Sequence, residues 1–141
     1  MLKNRETGDE YEITADYLIA ADGANSPIRE ALPIHRTGSG SSGNLLNILF
    51  TADIGAFVKN REFSICQIES PAVTGLFTSI NNTDRWVFHL WYDPRKGEKP
   101  EDFPPERCVK LLHQAMGMSK DEVTIDIKSI LPWQACASQT V

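Results

Sequence analysis

The sequence predicts an α+β protein in which a mostly antiparallel sheet with one packed helix is joined to a partial α/β segment. Three observations support this fold class. Several segments after residue 44 alternate apolar and polar side chains with the period of two that is typical of half-buried strands. Pro105–Met116 places its apolar residues with helical spacing. Near the start, the short apolar run Tyr17–Ala21 ends in Asp22 and Gly23, as a buried strand does before a turn and a helix.

Composition places the chain among ordinary globular proteins. Its 141 residues are enough for one hydrophobic core. A content of 41% hydrophobic and 23% charged residues is typical of an ordered globular domain. The net charge of -5 argues against nucleic acid as a partner. No apolar run approaches the roughly 20 residues of a membrane-spanning helix, and no secretory signal follows Met1. The three widely spaced cysteines predict a reducing, cytoplasmic location without disulfides.

The first elements predict a piece of a larger sheet. Leu2–Asn4 and Glu10–Thr14 flank a polar turn and are expected to form a hairpin. The following buried strand, Tyr17–Ala21, needs parallel neighbours that this sequence does not contain, so the chain is expected to be a fragment. Asn25 or Ser26 offers an N-cap, Pro27 fits the first helical position, and a short helix follows.

Residues 38–43 read Gly-Ser-Gly-Ser-Ser-Gly and match the dinucleotide-binding pattern G-x-G-x-x-G only in letters. That pattern binds a pyrophosphate when a strand precedes it and a helix follows it. Here a short helix precedes it and a strand follows it, so a flexible linker is the better interpretation.

The second half is predicted to contain a sheet and one clear helix. The expected strands are Asn44–Thr51, Phe63–Ile68, Thr74–Ile80, Arg85–Tyr92 and Val123–Leu131. Pro132 and Trp133 are expected to end the last strand. The strand Arg85–Tyr92 is apolar on both faces, so both faces are expected to be covered. In the helix, the apolar stripe comprises Cys108, Leu111, Leu112, Ala115 and Met116.

The residues after the first predicted strand also carry a family resemblance. The motif Asp22-Gly23-x-x-Ser26-x-x-Arg29 resembles the Asp-Gly motif of the FAD-dependent aromatic hydroxylases, the para-hydroxybenzoate hydroxylase-like monooxygenases. The resemblance implies that these four residues contact FAD. The alternative is an ordinary strand-to-helix turn in which Asp22 only caps the helix and Arg29 only pairs with a nearby carboxylate.

Later stretches resemble the substrate domain of the same hydroxylases, in the branch that acts on phenols and aromatic polyketides. They are Phe50–Ile54, Asp84–Trp86, Tyr92–Pro94, Glu101–Phe103, Pro105–Cys108 and Leu131–Trp133. The resemblance implies four parts: a partial FAD-binding segment at 1–37, the linker at 38–43, a substrate-binding sheet domain at 44–133 and a return segment at 134–141. The family's amino-terminal glycine-rich unit and its later Gly-Asp motif are absent from this sequence. The fragment is therefore expected to be inactive and not to retain FAD by itself.

The implied activity of the parent protein is hydroxylation of an aromatic, phenolic or polyketide-like small molecule with NAD(P)H and O2. Because the flavin supplies the redox chemistry, no acid–base pair or metal site is needed, and none is predicted from the cysteines or from His35, His89 and His113. The row Trp86, Phe88 and Leu90 is a candidate wall of the substrate pocket, with plain core packing as the alternative.

A second hypothesis comes from another functional class. The chain could be a stand-alone, non-catalytic β-rich module that binds an aromatic ligand among Trp86, Trp91 and Trp133. That module would be a stable monomer, whereas a fragment is expected to self-associate through exposed sheet surface at Tyr17–Ala20.

Overall fold

The computed structural model describes residues 1–140, which divide into two compact units. The first unit is Met1–Thr37 together with the residues from Gln139, and the second is Gly38–Ser138. The boundary at residue 37 coincides with the predicted end of the first segment, although the assignment of functions to the two parts stays a prediction.

The first unit contains a short hairpin and a short helix. Strand β1 is Leu2–Lys3, strand β2 is Glu10–Tyr11, and the two pair antiparallel. Asn4 shapes the turn between them, because its side-chain oxygen accepts a hydrogen bond of 2.9 Å from the Glu6 N–H. Helix α1 is Pro27–Ala31, with Ser26 as N-cap and Pro27 at the first turn, as predicted.

The prediction of a buried strand at Tyr17–Ala21 is wrong. These residues lie in no strand, and the side chains of Tyr17 and Ile19 are 91% and 90% exposed. A central strand needs hydrogen-bonding neighbours on both sides and apolar cover on both faces, and residues 1–140 supply neither to this segment. The apolar side chains of this run therefore remain exposed within the described chain.

The second unit is built mainly from strands and one long helix. Its elements are β3 (Arg36–Thr51, which starts two residues before the unit boundary), α2 (Gly55–Val58), β4 (Ile65–Glu69), β5 (Thr74–Ser79), β6 (Arg85–Tyr92), α3 (Pro105–Met116) and β7 (Asp126–Thr140). Single 3₁₀ turns at Pro94–Lys96 and Pro100–Asp102 connect β6 to α3. Gly117 ends α3 in the left-handed conformation, at φ 67°, which favours glycine.

The five long strands form one sheet in the order β4-β5-β6-β3-β7. Strands β5 and β6 form a hairpin, and β3 pairs antiparallel with β6 on the other side. The register places Ile48 opposite Phe88 and Phe88 opposite Phe77, so the three side chains share one face of the sheet.

The core lies on that face. Trp86, Ile48, Phe50 and Phe88 are fully buried there, and Leu112 of α3 belongs to the same cluster. The rings of Phe77 and Phe88 lie 4.6 Å apart between centroids. The buried Trp86 indole N–H donates a hydrogen bond of 3.0 Å to the Ala52 carbonyl, which satisfies its only polar atom.

The prediction of a flexible linker at residues 38–43 is wrong, because these residues lie inside β3. Strand β7 continues through Pro132 and Trp133, where the last strand was expected to end, and the return segment at 134–141 stays a prediction. Because β3 and β7 are neighbours in the sheet, each supplies the other with backbone partners, and the Ser42 hydroxyl donates a further hydrogen bond of 3.0 Å to the Ala135 carbonyl. This tertiary pairing outweighs the weak strand propensity of glycine and serine.

In the part of the chain that the structure describes, the helices are too short or too polar to cross a lipid bilayer.

Gly75 of β5 leaves no room for a side chain. A methyl group there would collide with the Phe88 ring and lie 2.8 Å from the His89 carbonyl oxygen. We expect Gly75→Ala to destabilise the protein by about 1–3 kcal/mol, the usual cost of overpacking a core. Urea unfolding measures the change. Gly43→Ala is the matched control, because its nearest new contact would be an ordinary 3.6 Å, and a loss of similar size there would contradict the explanation.

Cys108 is fully buried on α3, and burial raises the pKa of its thiol to about 11, with Arg107 opposing the shift. A raised pKa keeps the thiol protonated at pH 8, and only the thiolate reacts with alkylating reagents. We expect iodoacetamide at pH 8 to spare Cys108 in the native protein and to label it in urea, whereas the exposed Cys136 reacts in both. Peptide mass spectrometry reads the two sites separately, and native labelling of Cys108 as fast as that of Cys136 would refute the prediction.

Candidate functional site

The predicted motif residues come together in the first unit around the turn that precedes α1. One Asp22 oxygen, Oδ2, accepts a hydrogen bond of 3.1 Å from the Ile28 N–H. The Ser26 hydroxyl oxygen accepts one of 3.0 Å from the Arg29 N–H, which caps the helix. The turn is thus closed by two side chains that each bind backbone at the first turn of α1.

Asp22 is held in its ionised form. The Ser26 hydroxyl and then the Ile28 N–H lower the pKa of its carboxyl group below the ordinary value, because both donate to the charged form. Asp22 is solvent-exposed, and the Ile28 N–H contacts only one of its two oxygens. The carboxylate therefore retains acceptor capacity toward a ligand hydroxyl.

Gly23 leaves the backbone of this turn open. Its φ of 82° lies in the left-handed region that favours glycine, and a methyl group built on it would meet no atom within 4 Å. Beside it is a cavity of about 430 Å³ whose lining combines the motif with apolar side chains: Leu18, Ala20, Asp22, Gly23, Ser26, Ile28, Arg29, Leu32 and Ile34.

Arg29 lies against the same cavity with only 15% of its side chain exposed. Its Nη1 donates a hydrogen bond of 2.9 Å to the Ala24 carbonyl, and its Nη2 lies 3.7 Å from a Glu30 oxygen. Both alternatives from the sequence thus stay open. The guanidinium pairs with a neighbouring carboxylate, yet that pair is long and leaves further N–H groups for an anionic ligand.

This donor set fits part of an FAD molecule. A carboxylate accepts from sugar or ribityl hydroxyls, a guanidinium donates to phosphate oxygens, and a glycine allows close approach of the backbone. The apolar side of the cavity would take carbon atoms of the cofactor. The contact of Asp22, Gly23, Ser26 and Arg29 with FAD stays a prediction.

The second unit presents a sheet surface that the core does not use, which we call the open face. Its residues on the three central strands are Leu45, Asn47 and Leu49 of β3, Leu76 and Thr78 of β5, and Val87, His89 and Trp91 of β6. Most of them are half-buried, and Trp91 is 43% exposed. The expectation that both faces of β6 are covered is therefore met on the core face alone within the described residues.

Three polar side chains cross the open face as a hydrogen-bonded row, Asn47–His89–Thr78. His89 Nδ1 lies 2.7 Å from the Asn47 amide oxygen, and its Nε2 lies 3.0 Å from the Thr78 hydroxyl oxygen. Burial lowers the pKa of His89, so the imidazole is neutral near pH 7.

Of the candidate pocket residues Trp86, Phe88 and Leu90, the first two are fully buried on the core face, where they pack inside the second unit. Leu90 is buried on the same face but also lines a cavity of about 850 Å³, beside Trp91 and Tyr92. Core packing therefore accounts for Trp86 and Phe88, and a role of Leu90 in a substrate pocket stays a prediction. The alternation along β6 sends their neighbours Val87, His89 and Trp91 to the open face instead.

The remaining histidines form no metal site in the described part of the chain, where groups of three potential ligands are also absent. His35 is exposed, and His113 is half-buried with its Nδ1 unpartnered among the described residues. Local sequence patterns do not single out Asn47, His89 or Thr78 as a group. Their association depends on cross-strand register, and no local sequence signal encodes that register.

Several known proteins and one family model match this chain. A family model described as FAD binding domain matches residues 1–140. The chain is 37% identical over 139 residues to tetracenomycin A2 monooxygenase-dioxygenase of Streptomyces glaucescens, covering 93% of this chain and 24% of that protein. It is 36% identical over 136 residues to aklavinone 12-hydroxylase of Streptomyces peucetius subsp. caesius, covering 96% of this chain and 27% of that protein.

A solved structure with the same fold is a ternary complex of aklavinone-11 hydroxylase with FAD and aklavinone. The TM-score is 0.80 at 33% identity, over 88% of this chain and 23% of that one. The predicted α+β class and the resemblance to FAD-dependent aromatic hydroxylases are thereby confirmed. The chain spans about a quarter of the length of these relatives, and it belongs to the FAD binding domain family.

Proposed function

We propose that this chain is part of an FAD-dependent monooxygenase that hydroxylates a phenolic or polyketide-like aromatic compound. The observation that carries the proposal is the family match along residues 1–140, which includes both the Asp22 turn and the sheet. In the overall reaction one atom of O2 enters a ring C–H bond to give a phenol. The other leaves as water, and NAD(P)H and a proton supply two electrons and two hydrogens. The flavin supplies the redox chemistry when bound.

The chain's own residues would hold the cofactor and orient it. Asp22 accepts hydrogen bonds from cofactor hydroxyls, Gly23 admits the cofactor close to the backbone, and Ser26 fixes the Asp22 carboxylate. Arg29 lies at the cavity wall with a positive charge for the phosphates. Residues 1–37 then act as a segment of the flavin domain and 44–133 as the substrate domain, in a cytoplasmic enzyme.

The open face is the candidate for the substrate wall, because Trp86 and Phe88, the large side chains of β6 on the opposite face, are fully buried in the core. Its apolar side chains and the exposed edge of Trp91 suit a flat aromatic ligand. Catalysis by such enzymes depends on placing the ring and excluding water, which a rigid apolar sheet surface favours.

The rival hypothesis of a stand-alone module has less support. It needs Trp86, Trp91 and Trp133 around one ligand, yet Trp86 is fully buried in the core while Trp91 lies on the opposite sheet face. The exposed run Tyr17–Ile19 instead favours self-association of the isolated chain.

The complete gene product that carries this chain should be yellow and should oxidise NAD(P)H faster when a phenolic polycycle is present. The assay follows nicotinamide absorbance at 340 nm with and without substrate. Mass spectrometry detects a product that is heavier by one oxygen atom. A colourless full-length protein, or NAD(P)H oxidation that no aromatic compound stimulates, would contradict the proposal.

Asp22→Asn should weaken FAD binding by the complete gene product. The amide keeps an acceptor for the Ile28 N–H but loses the charge, and a hydrogen bond to a charged group contributes about 1.5–3 kcal/mol, or roughly 10- to 100-fold in affinity. Quenching of FAD fluorescence measures the dissociation constant.

Asp9→Asn, an exposed aspartate in the hairpin turn of the same unit, is the matched control and should leave FAD affinity unchanged. Equal FAD affinity for Asp22→Asn and the wild type would show that Asp22 only closes the turn.

A further inference from the structure

The Asn47–His89–Thr78 row crosses three neighbouring strands, β3, β6 and β5, on the open face. Asn47 is directly opposite His89 in the β3–β6 register, whereas Thr78 is diagonal to it across β5 and β6. Each of the three side chains is half-buried. The row is therefore anchored to the sheet and still reaches the surface.

The hydrogen bonds within the row determine which donor and acceptor atoms remain available to a ligand. Since the Asn47 oxygen can only accept, His89 Nδ1 carries the hydrogen, and Nε2 accepts from the Thr78 hydroxyl. Thr78 has then used its hydrogen and keeps oxygen lone pairs. Asn47 keeps its NH2 group, which makes no hydrogen bond among the described residues. The row thus offers an acceptor at one end and a donor at the other.

The two ends are far apart relative to a single aromatic ring. The Thr78 and Asn47 oxygens are separated by a 3.0 Å hydrogen bond, the width of an imidazole and a 2.7 Å hydrogen bond. Two strand spacings, about 9–10 Å, separate the backbones of β3 and β5. A ligand whose oxygens lie across two or more fused rings can therefore contact both ends at once.

The side chains next to the row on β3, β5 and β6 are apolar, whereas Gln67 and Glu69 of β4 and Arg85 of β6 lie farther out on the same face. Leu45, Leu49, Leu76 and Val87 flank it on the open face. His89 itself is neutral, because burial lowers its pKa. Such a surface favours neutral hydroxyl and carbonyl oxygens over a carboxylate, which would need a positive partner when desolvated.

We propose that the Asn47–His89–Thr78 row orients a fused-ring phenolic substrate on the open face. Thr78 accepts a hydrogen bond from a ring hydroxyl, and the Asn47 amide donates one to a hydroxyl or carbonyl oxygen at the far side of the ring system. His89 is a positioning residue that holds both partners. The inference rests on the proposed monooxygenase function and adds to it the residues that position the ring system.

The test uses the complete gene product and two probes: anthraflavic acid, a three-ring dihydroxyanthraquinone, and resorcinol, a one-ring diphenol. Equilibrium dialysis gives the dissociation constants for wild type, Thr78→Val, Thr78→Ser and Asn47→Leu. Thr51→Val is the matched control, because Thr51 lies on β3 with the same alternation but outside the row. FAD content and thermal unfolding of each variant report cofactor binding and folding.

We expect Thr78→Val and Asn47→Leu each to weaken anthraflavic acid binding about 3- to 10-fold, the loss of one hydrogen bond. Thr78→Ser, which keeps the hydroxyl, should stay within about twofold of wild type, as should Thr51→Val and all resorcinol affinities. Unchanged anthraflavic acid affinity in both row variants would overturn the inference. So would an equal loss for the two probes, or failure of Thr78→Ser to restore binding.

The proposed function and this inference fail in different ways. A complete gene product without FAD would overturn the proposed function, while the affinities for anthraflavic acid would still test the row. A protein that holds FAD and oxidises NAD(P)H, but whose row variants bind the three-ring probe like wild type, would overturn the inference alone.

Discussion

The register between β3, β6 and β5 is the constraint on which the rest of the second unit depends. It aligns Ile48, Phe88 and Phe77 on one face, so a single apolar layer forms beneath α3. A shift of one residue would turn every side chain of a strand to the other face. Core and open face are thus two results of one alignment, and the polar row exists because Asn47 and His89 are paired by the register that buries Phe88.

The first unit follows a different logic, because its key contacts are local in sequence. Asp22, Ser26 and Arg29 interact with backbone atoms no more than six residues away. Such a turn forms without a large core and holds its carboxylate ionised at the surface. The apolar run before it has no cover within the described residues, so packing contributes little to this part of the chain.

Local signals explain why some elements were predictable. Ser26 and Pro27 mark the start of α1, the apolar stripe and Gly117 bound α3, and the Asn-rich turn at 81–84 predicts the β5–β6 hairpin. Each of these depends on residues close in sequence. The alternation along β6 likewise separated Trp86, Phe88 and Leu90 from Val87, His89 and Trp91 correctly, without showing which set is buried.

Contacts distant in sequence explain the errors. The Gly/Ser run at 38–43 has a linker's composition, but pairing with β7, more than 90 residues away, makes it a strand. For Tyr17–Ala21 the error has the opposite direction. The apolar composition predicts a buried strand, but no described strand pairs with these residues. The polar row needed three strands to be aligned before its members could be recognised as one group.

Gly75 of β5 and Phe88 of β6 are packed directly against each other. With no side chain at residue 75, the Phe88 ring of the adjacent strand occupies space that any methyl group would require. The His89 carbonyl oxygen would lie 2.8 Å from the same methyl group, so a smaller side chain at 88 would relieve only part of the clash. Position 75 is therefore expected to stay glycine in relatives that keep this register, whichever residue stands at 88.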